Sequence, residues 1–158
     1  MSKFAVRGIV AAVLAVVTSA GITAQDTATL SVSARIQGGC TLVTSGAMAF
    51  GDLNMASTGP ESKVVNATYR CASGVIVNSF TVGGDGDGSY TDAMTSTTTG
   101  VTDTIPYTIT WSVPASYTGT GFTAAGQTVA LTGTIQNADY ITKAPGSYSD
   151  SVVLAVNY

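Results

Sequence analysis

Between Ala28 and Tyr158 apolar side chains recur at every second position, and nowhere do they recur at spacings of three, four and seven over two turns. Successive side chains of a strand point to opposite faces, so this period describes half-buried strands and excludes amphipathic helices. Ala28, Leu30, Val32, Ala34 and Ile36 alternate with Thr29, Ser31, Ser33 and Arg35, which predicts a strand over 28–36 with one face buried. Gln37-Gly38-Gly39 breaks the pattern before Cys40. A second strand is expected within 41–50 and a loop over 51–60. Val65, Ala67, Tyr69 and Cys71 share one face of the next strand, and another spans 75–82. Residues 83–102 are rich in Gly, Asp, Ser and Thr and read as a long connection. Ile105, Tyr107, Ile109, Trp111 and Val113 alternate again, with Pro106 near the strand start, where a missing N–H is tolerated. After a loop over 114–127 come Val129, Leu131, Gly133 and Ile135, and last Val152, Leu154, Val156 and Tyr158. The pattern predicts an all-β sandwich of six or seven strands.

The chemistry open to such a chain is narrow. Only 9% of its residues are charged, against roughly 25% in an ordinary globular domain. Its polar surface therefore comes from Thr, Ser, Asn and Gly, which suit strands and turns. A hydrophobic content of 45% excludes a disordered chain. The absence of His excludes Ser-His-Asp and Cys-His catalysis and most zinc sites. Past residue 24 the basic residues are Arg35, Lys63, Arg70 and Lys143, and an acidic balance of this kind does not suit a nucleic-acid surface. No enzyme activity and no cofactor are expected.

Residues 1–24 read as a secretory signal peptide. Lys3 and Arg7 precede an apolar run over 8–17, and small residues follow up to Ala24, after which cleavage is expected, with Ala20 as second choice. The run is too short for a membrane-spanning helix, which needs roughly 20 apolar residues; no stable membrane insertion is expected. Export places Cys40 and Cys71, the two cysteines of the chain, in an oxidising compartment that would join them. The alternative is two free buried thiols. No Cys-x-x-Cys is present, so a redox role is not indicated.

The best-patterned strand, 28–36, lies ahead of the first cysteine and is set off by Gln37-Gly38-Gly39. It reads either as an ordinary edge strand of the domain or as a detachable strand that completes a sheet in another copy. The apolar strand over 152–158 has no following strand to cover its edge, and bare hydrophobic edges are a liability that soluble proteins avoid. A spare strand and a bare edge fit each other.

Other candidates resolve to bland readings. Gly83-Gly84-Asp85-Gly86-Asp87-Gly88 invites a calcium loop, but the twelfth position counted from Asp85 is Ser96 where an EF-hand needs Glu. Asp85, Asp87 and Asp92 offer paired carboxylates for glycoside hydrolysis with nothing to raise a pKa. Trp111 and Tyr107 lie on the apolar face of a strand and read as core, not as a sugar-stacking platform.

The segment Gly146-Ser147-Tyr148-Ser149-Asp150, followed by alternating aliphatics to Tyr158, resembles the closing motif of the spore coat protein U domain family. Cys40 after an alternating strand, Phe50-Gly51, Tyr69-x-Cys71 with Gly74, Gly83-Gly84, Ile105-Pro106-Tyr107 and Gly119-Thr120-Gly121 follow in family order. The family includes subunits of archaic (Csu-type) chaperone–usher pili. The resemblance implies an incomplete immunoglobulin-like sandwich of the pilin type over 38–158, preceded by a donor-strand extension over 25–37. It implies a donor face of Ala28, Leu30, Val32, Ala34 and Ile36, an acceptor groove bordered by Val152, Leu154 and Val156, and Tyr158 anchored by a chaperone. It also makes Cys40–Cys71 the family disulfide. The implied partners are other copies or homologous subunits, a periplasmic chaperone and an outer-membrane usher. The implied location is the cell surface or the extracellular space, reached through the periplasm, and the implied role is attachment or biofilm formation. Many members carry Arg where this chain has Asp92. The length leaves no room for a receptor-binding domain, which favours a shaft or linking subunit over a tip. A secreted coat or matrix protein of the same family and an autonomous carbohydrate-binding sandwich are the alternatives.

Overall fold

The eleven residues of β2 (Glu61–Cys71), alternately buried from Val65 onward, make it the spine of the main sheet. Val65, Ala67, Tyr69 and Cys71 all turn to the same buried face, as their spacing predicts. The computed structural model describes residues 28–158; the signal peptide, its cleavage site and residues 25–27 lie outside the described residues.

The strands beside β2 are β1 (Cys40–Thr44), β5 (Ser89–Ser96), β6 (Thr104–Trp111), β8 (Gln127–Ile135) and β9 (Tyr148–Ser149). They form a six-stranded antiparallel sheet in the order β1-β2-β8-β6-β5-β9. Its inner face carries Ile105, Tyr107, Ile109 and Trp111 from β6 and Val129, Leu131 and Ile135 from β8, all buried. Threonines line the outer face, and neighbouring hydroxyls meet there: Thr68 with Thr128 at 3.0 Å, Ser62 with Thr134 at 3.2 Å, and Thr91 with Thr108 at 3.2 Å. Such cross-strand pairs hold register where charges are scarce.

Two short ribbons cover part of the inner face. One pairs β4 (Ser79–Val82) with β10 (Leu154–Asn157); the other pairs β3 (Ile76–Val77) with β7 (Tyr117–Thr118). Phe80 and Val82 bring the first ribbon down onto the sheet. The Phe80 ring lies 6.1 Å from Tyr69, nearly parallel, and 6.5 Å from Trp111 edge-on. The result is an all-β sandwich of immunoglobulin-like type. A single helical turn, α1 (Asn137–Tyr140), closes one end.

Cys40 and Cys71 are directly opposite in the β1–β2 register and form a disulfide across a Cα–Cα distance of 4.0 Å. The 31-residue separation corresponds to roughly 3–4 kcal/mol of chain-entropy stabilisation.

Four sequence expectations need correction. Residues 83–102 are not one long connection, because β5 lies inside them. Its inward positions include Asp92, which dilutes the apolar signal of Tyr90 and Met94. The strand expected over 75–82 is two strands in different ribbons, broken at Asn78, whose N–H donates to the Asn157 carbonyl. The loop over 114–127 contains β7, whereas the strand expected within 41–50 is met by β1. Residues 28–39 form no strand within the chain, so the reading of an ordinary edge strand does not hold there.

Ile36–Tyr158 is one compact unit, and residues 28–35 belong to another. In the latter Leu30 and Val32 are 85% and 84% exposed.

Candidate functional site: an open groove between the layers

The covering layer is shorter than the sheet beneath it. Four strands of two to four residues face six strands of up to eleven, so part of the apolar inner face is roofed only by loops. A groove of about 400 Å³ opens there. Val65, Leu131, Tyr107 and Met94 make its floor; Thr44, Met48 and Phe50 stand on one side and Asp150, Val152 and Leu154 on the other. A second cleft of about 580 Å³ shares Met48, Phe50, Met94 and Tyr148 and runs on past Ile105 and Ile135 to Tyr140 and Lys143.

Both flanks carry unpaired strand edges. Among the described residues β1 pairs only with β2, and β10 only with β4. Each edge presents backbone N–H and C=O groups that an additional strand can satisfy. After Thr44 the chain turns away from the sheet edge. It crosses the inner face as an irregular strap to Phe50, then turns at Gly51, which has φ +75°. The strap lies close because β8 has Gly133 beneath it: a Cβ at that position would run into the Met48 sulfur.

One end of the groove is polar. The Tyr107 hydroxyl donates to the Asp150 carboxylate at 2.5 Å, and the Ser151 N–H donates to its other oxygen at 2.7 Å. Burial and then the hydrogen bond to Asp150 push the Tyr107 phenol well above its ordinary pKa. Nearby, the Tyr90 hydroxyl donates to Asp92, which raises the Tyr90 pKa to about 12. The same bond, with the Ala93 N–H, holds the Asp92 carboxyl below its ordinary value. Asp92 is thus held by donors from its own strand.

The residues expected to border an acceptor groove divide. Val152 and Leu154 line it; Val156 packs against the core further along β10; Tyr158 is 59% exposed and lies beyond the strand. Ala28, Leu30, Val32, Ala34 and Ile36 are all exposed and outside any strand. Met48, Met94 and Gly133 contribute to the site in ways that their local pattern did not announce. Met48 and Phe50 do stand two apart, which is the spacing of a shared face. Asp85 and Asp87 serve the backbone: Asp85 closes the Gly83–Gly84 turn through paired bonds with Val82, and Asp87 accepts from the Ser89 N–H.

The Tyr107–Asp150 pair in the groove favours a protonated phenol, because burial and the bond to the carboxylate both raise the Tyr107 pKa. The groove offers an apolar floor between two strand edges left unpaired among the described residues, a geometry with room for an extended segment. A family model described as Spore Coat Protein U domain matches residues 26–155. No curated protein matches the chain.

Proposed function

The chain belongs to the spore coat protein U domain family, whose members are pilus- and spore-coat-like surface proteins, and from that premise we propose that it is a structural subunit that polymerises by donor-strand exchange. The groove between strap and β10 carries this reading: it leaves apolar core residues under a gap flanked by two unpaired edges. The five alternating residues from Ala28 to Ile36 are the matching strand, supplied by a second copy. Burying side chains of that size contributes several kcal/mol per junction, at about 25 cal/mol per Å². Main-chain bonds to both edges add direction. A head-to-tail contact that does not close on itself builds a fibre.

In this reading residues 1–24 direct export. A periplasmic chaperone occupies the groove in transit, and an outer-membrane usher presides over its replacement by the next subunit's extension, giving a surface pilus that supports attachment. Among the described residues no helix is long and apolar enough to cross a membrane. The family description favours one second reading, a coat or matrix protein assembled by the same exchange. Neighbouring genes for a chaperone and an usher separate the two.

The test is an SDS gel of the exported chain, heated and unheated, beside a version lacking residues 25–36 and beside Leu30→Asp. A heat-sensitive ladder in the parent alone is expected. Identical monomer bands from all three, with the truncated form still folded, would overturn strand exchange.

A further inference from the structure

Resting on the strand-exchange reading, we infer that Arg35 of the incoming segment is held by Asp150 of the receiving copy, and that this pair sets the direction and register of the inserted strand. Among the described residues Asp150 is the one charged side chain lining the groove. Its carboxylate is held in place by the Tyr107 hydroxyl and the Ser151 N–H, yet the residue is exposed. Asp92 adds negative potential from the same side, since both carboxylates act on Tyr107. Arg35 is the one charged residue between positions 28 and 39. An apolar groove with one fixed anion and an otherwise uncharged segment with one cation are complementary in a single placement.

That placement can be written out. Seating Arg35 beside Asp150 lays the segment antiparallel to β10, because β10 runs from the Asp150 end of the groove towards Tyr158. Ile36 then stands against Asp150, Ala34 against Val152, Val32 against Leu154, Leu30 against Val156 and Ala28 against Tyr158. The two alternations coincide over their whole length: Val32 and Leu30 meet Leu154 and Val156 of β10, Ala34 meets Val152 just ahead of it, and Ile36 and Ala28 fall beyond its ends. Arg35 falls opposite Ser151. Residues 150–153 lie outside any strand and Gln37-Gly38-Gly39 follows Arg35, so neither chain is held to a strict pleat there and the long guanidinium side chain reaches the adjoining carboxylate. A slip of two residues would move Arg35 about 7 Å away, and the opposite direction would carry it to the far end of the groove.

The experiment uses the exported full chain in two charge-reversed forms, Arg35→Glu and Asp150→Lys, alone and mixed in equal amounts. Each alone pairs like charges at every junction, and about two- to five-fold less heat-sensitive ladder is expected than from the parent. In the mixture the segment of the Arg35→Glu form meets the groove of the Asp150→Lys form with opposite charges. The reverse junction restores the native Arg35 and Asp150 pair, and the ladder is expected to return. A misfolded acceptor would not be rescued in this way. For the register, Ser33→Cys with Val153→Cys in one chain places two exposed positions directly opposite, within the roughly 4.4–6.8 Å that a disulfide spans. A ladder that survives heat and collapses with reductant is expected from this pair and not from Ser31→Cys with Val153→Cys. A mixture no better than its components, or linkage by the Ser31 pair in place of the Ser33 pair, overturns the inference. If Leu30→Asp abolishes the ladder in the same assay, strand exchange stands and only the Arg35–Asp150 pairing falls; if Leu30→Asp leaves the ladder intact, strand exchange itself falls.

Discussion

Tyr69 is fully buried on the inner face of β2, and its hydroxyl has no hydrogen-bond partner; the buried Tyr117 hydroxyl and the Trp111 indole N–H share that condition. Burial pushes the Tyr69 phenol above its ordinary pKa, as expected for an ionisable group held away from water. Its ring does the structural work, stacked 6.1 Å from Phe80 and edge-on to Tyr117 at 5.6 Å. A buried hydroxyl without a partner costs about 1–3 kcal/mol, so Tyr69→Phe keeps the ring contacts and removes the penalty. We expect stabilisation of roughly 1 kcal/mol, read as a rise of about 3–5 °C in the melting temperature. A fall of that size would show that the hydroxyl has a partner in solution. The burial of Tyr69 was legible in the sequence, because Val65, Ala67 and Cys71 share its parity. The isolation of its hydroxyl was not, since which atoms surround a phenol depends on the opposing ribbon and no local spacing encodes that.

At the scale of elements, period 2 identified strands wherever four alternate positions in a row carry no polar side chain, as in β2, β6 and β8. It failed at β5, where Asp92 occupies an inward position between Tyr90 and Met94 and is accommodated by a hydroxyl from its own strand. Short strands were also lost: β3, β7 and β9 have two residues each, too few to show any period. The groove was half legible. Its β10 side follows from alternation, but the strap on the other side has no regular structure, and its closeness to the sheet depends on Gly133. In the sequence that glycine is only a gap in an apolar series; in the fold it is the space that Met48 occupies. Gly133→Val should therefore displace the strap into the groove. Overpacking of this kind costs about 1–3 kcal/mol, which the disulfide-bonded domain survives, while entry of a strand is obstructed. The expected result is a soluble monomer with native-like near-ultraviolet circular dichroism and little heat-sensitive ladder. Loss of soluble protein altogether would place Gly133 in folding and not in access to the groove.

For the whole molecule, the proposed strand exchange makes stability a property of the assembly more than of the chain, because a segment exposed in its own chain would fill a groove of matching polarity in the next. Leu30 and Val32 stand more than four-fifths exposed, which a chain acting alone would not maintain without cost in solubility. When a partner copy supplies the missing strand, binding adds to folding free energy by mass action. Leu30, Val32 and Ile36 are the larger side chains of the set, and full burial of residues of this kind contributes about 1.5–3 kcal/mol each. A gain on the order of 5 kcal/mol per junction corresponds to a melting temperature at least about 10 °C higher. Calorimetry of assembled fibre beside monomer lacking residues 25–36 should show that difference, and adding the excised segment as a free peptide should recover part of it in proportion to its concentration. Equal melting temperatures at every protein concentration would mean that the sandwich is complete without the segment, and the open edges of β1 and β10 would then need another occupant. A concentration-dependent rise instead ties the low charge, the threonine-lined outer face and the open groove to one property: a subunit whose fold is finished by its neighbour.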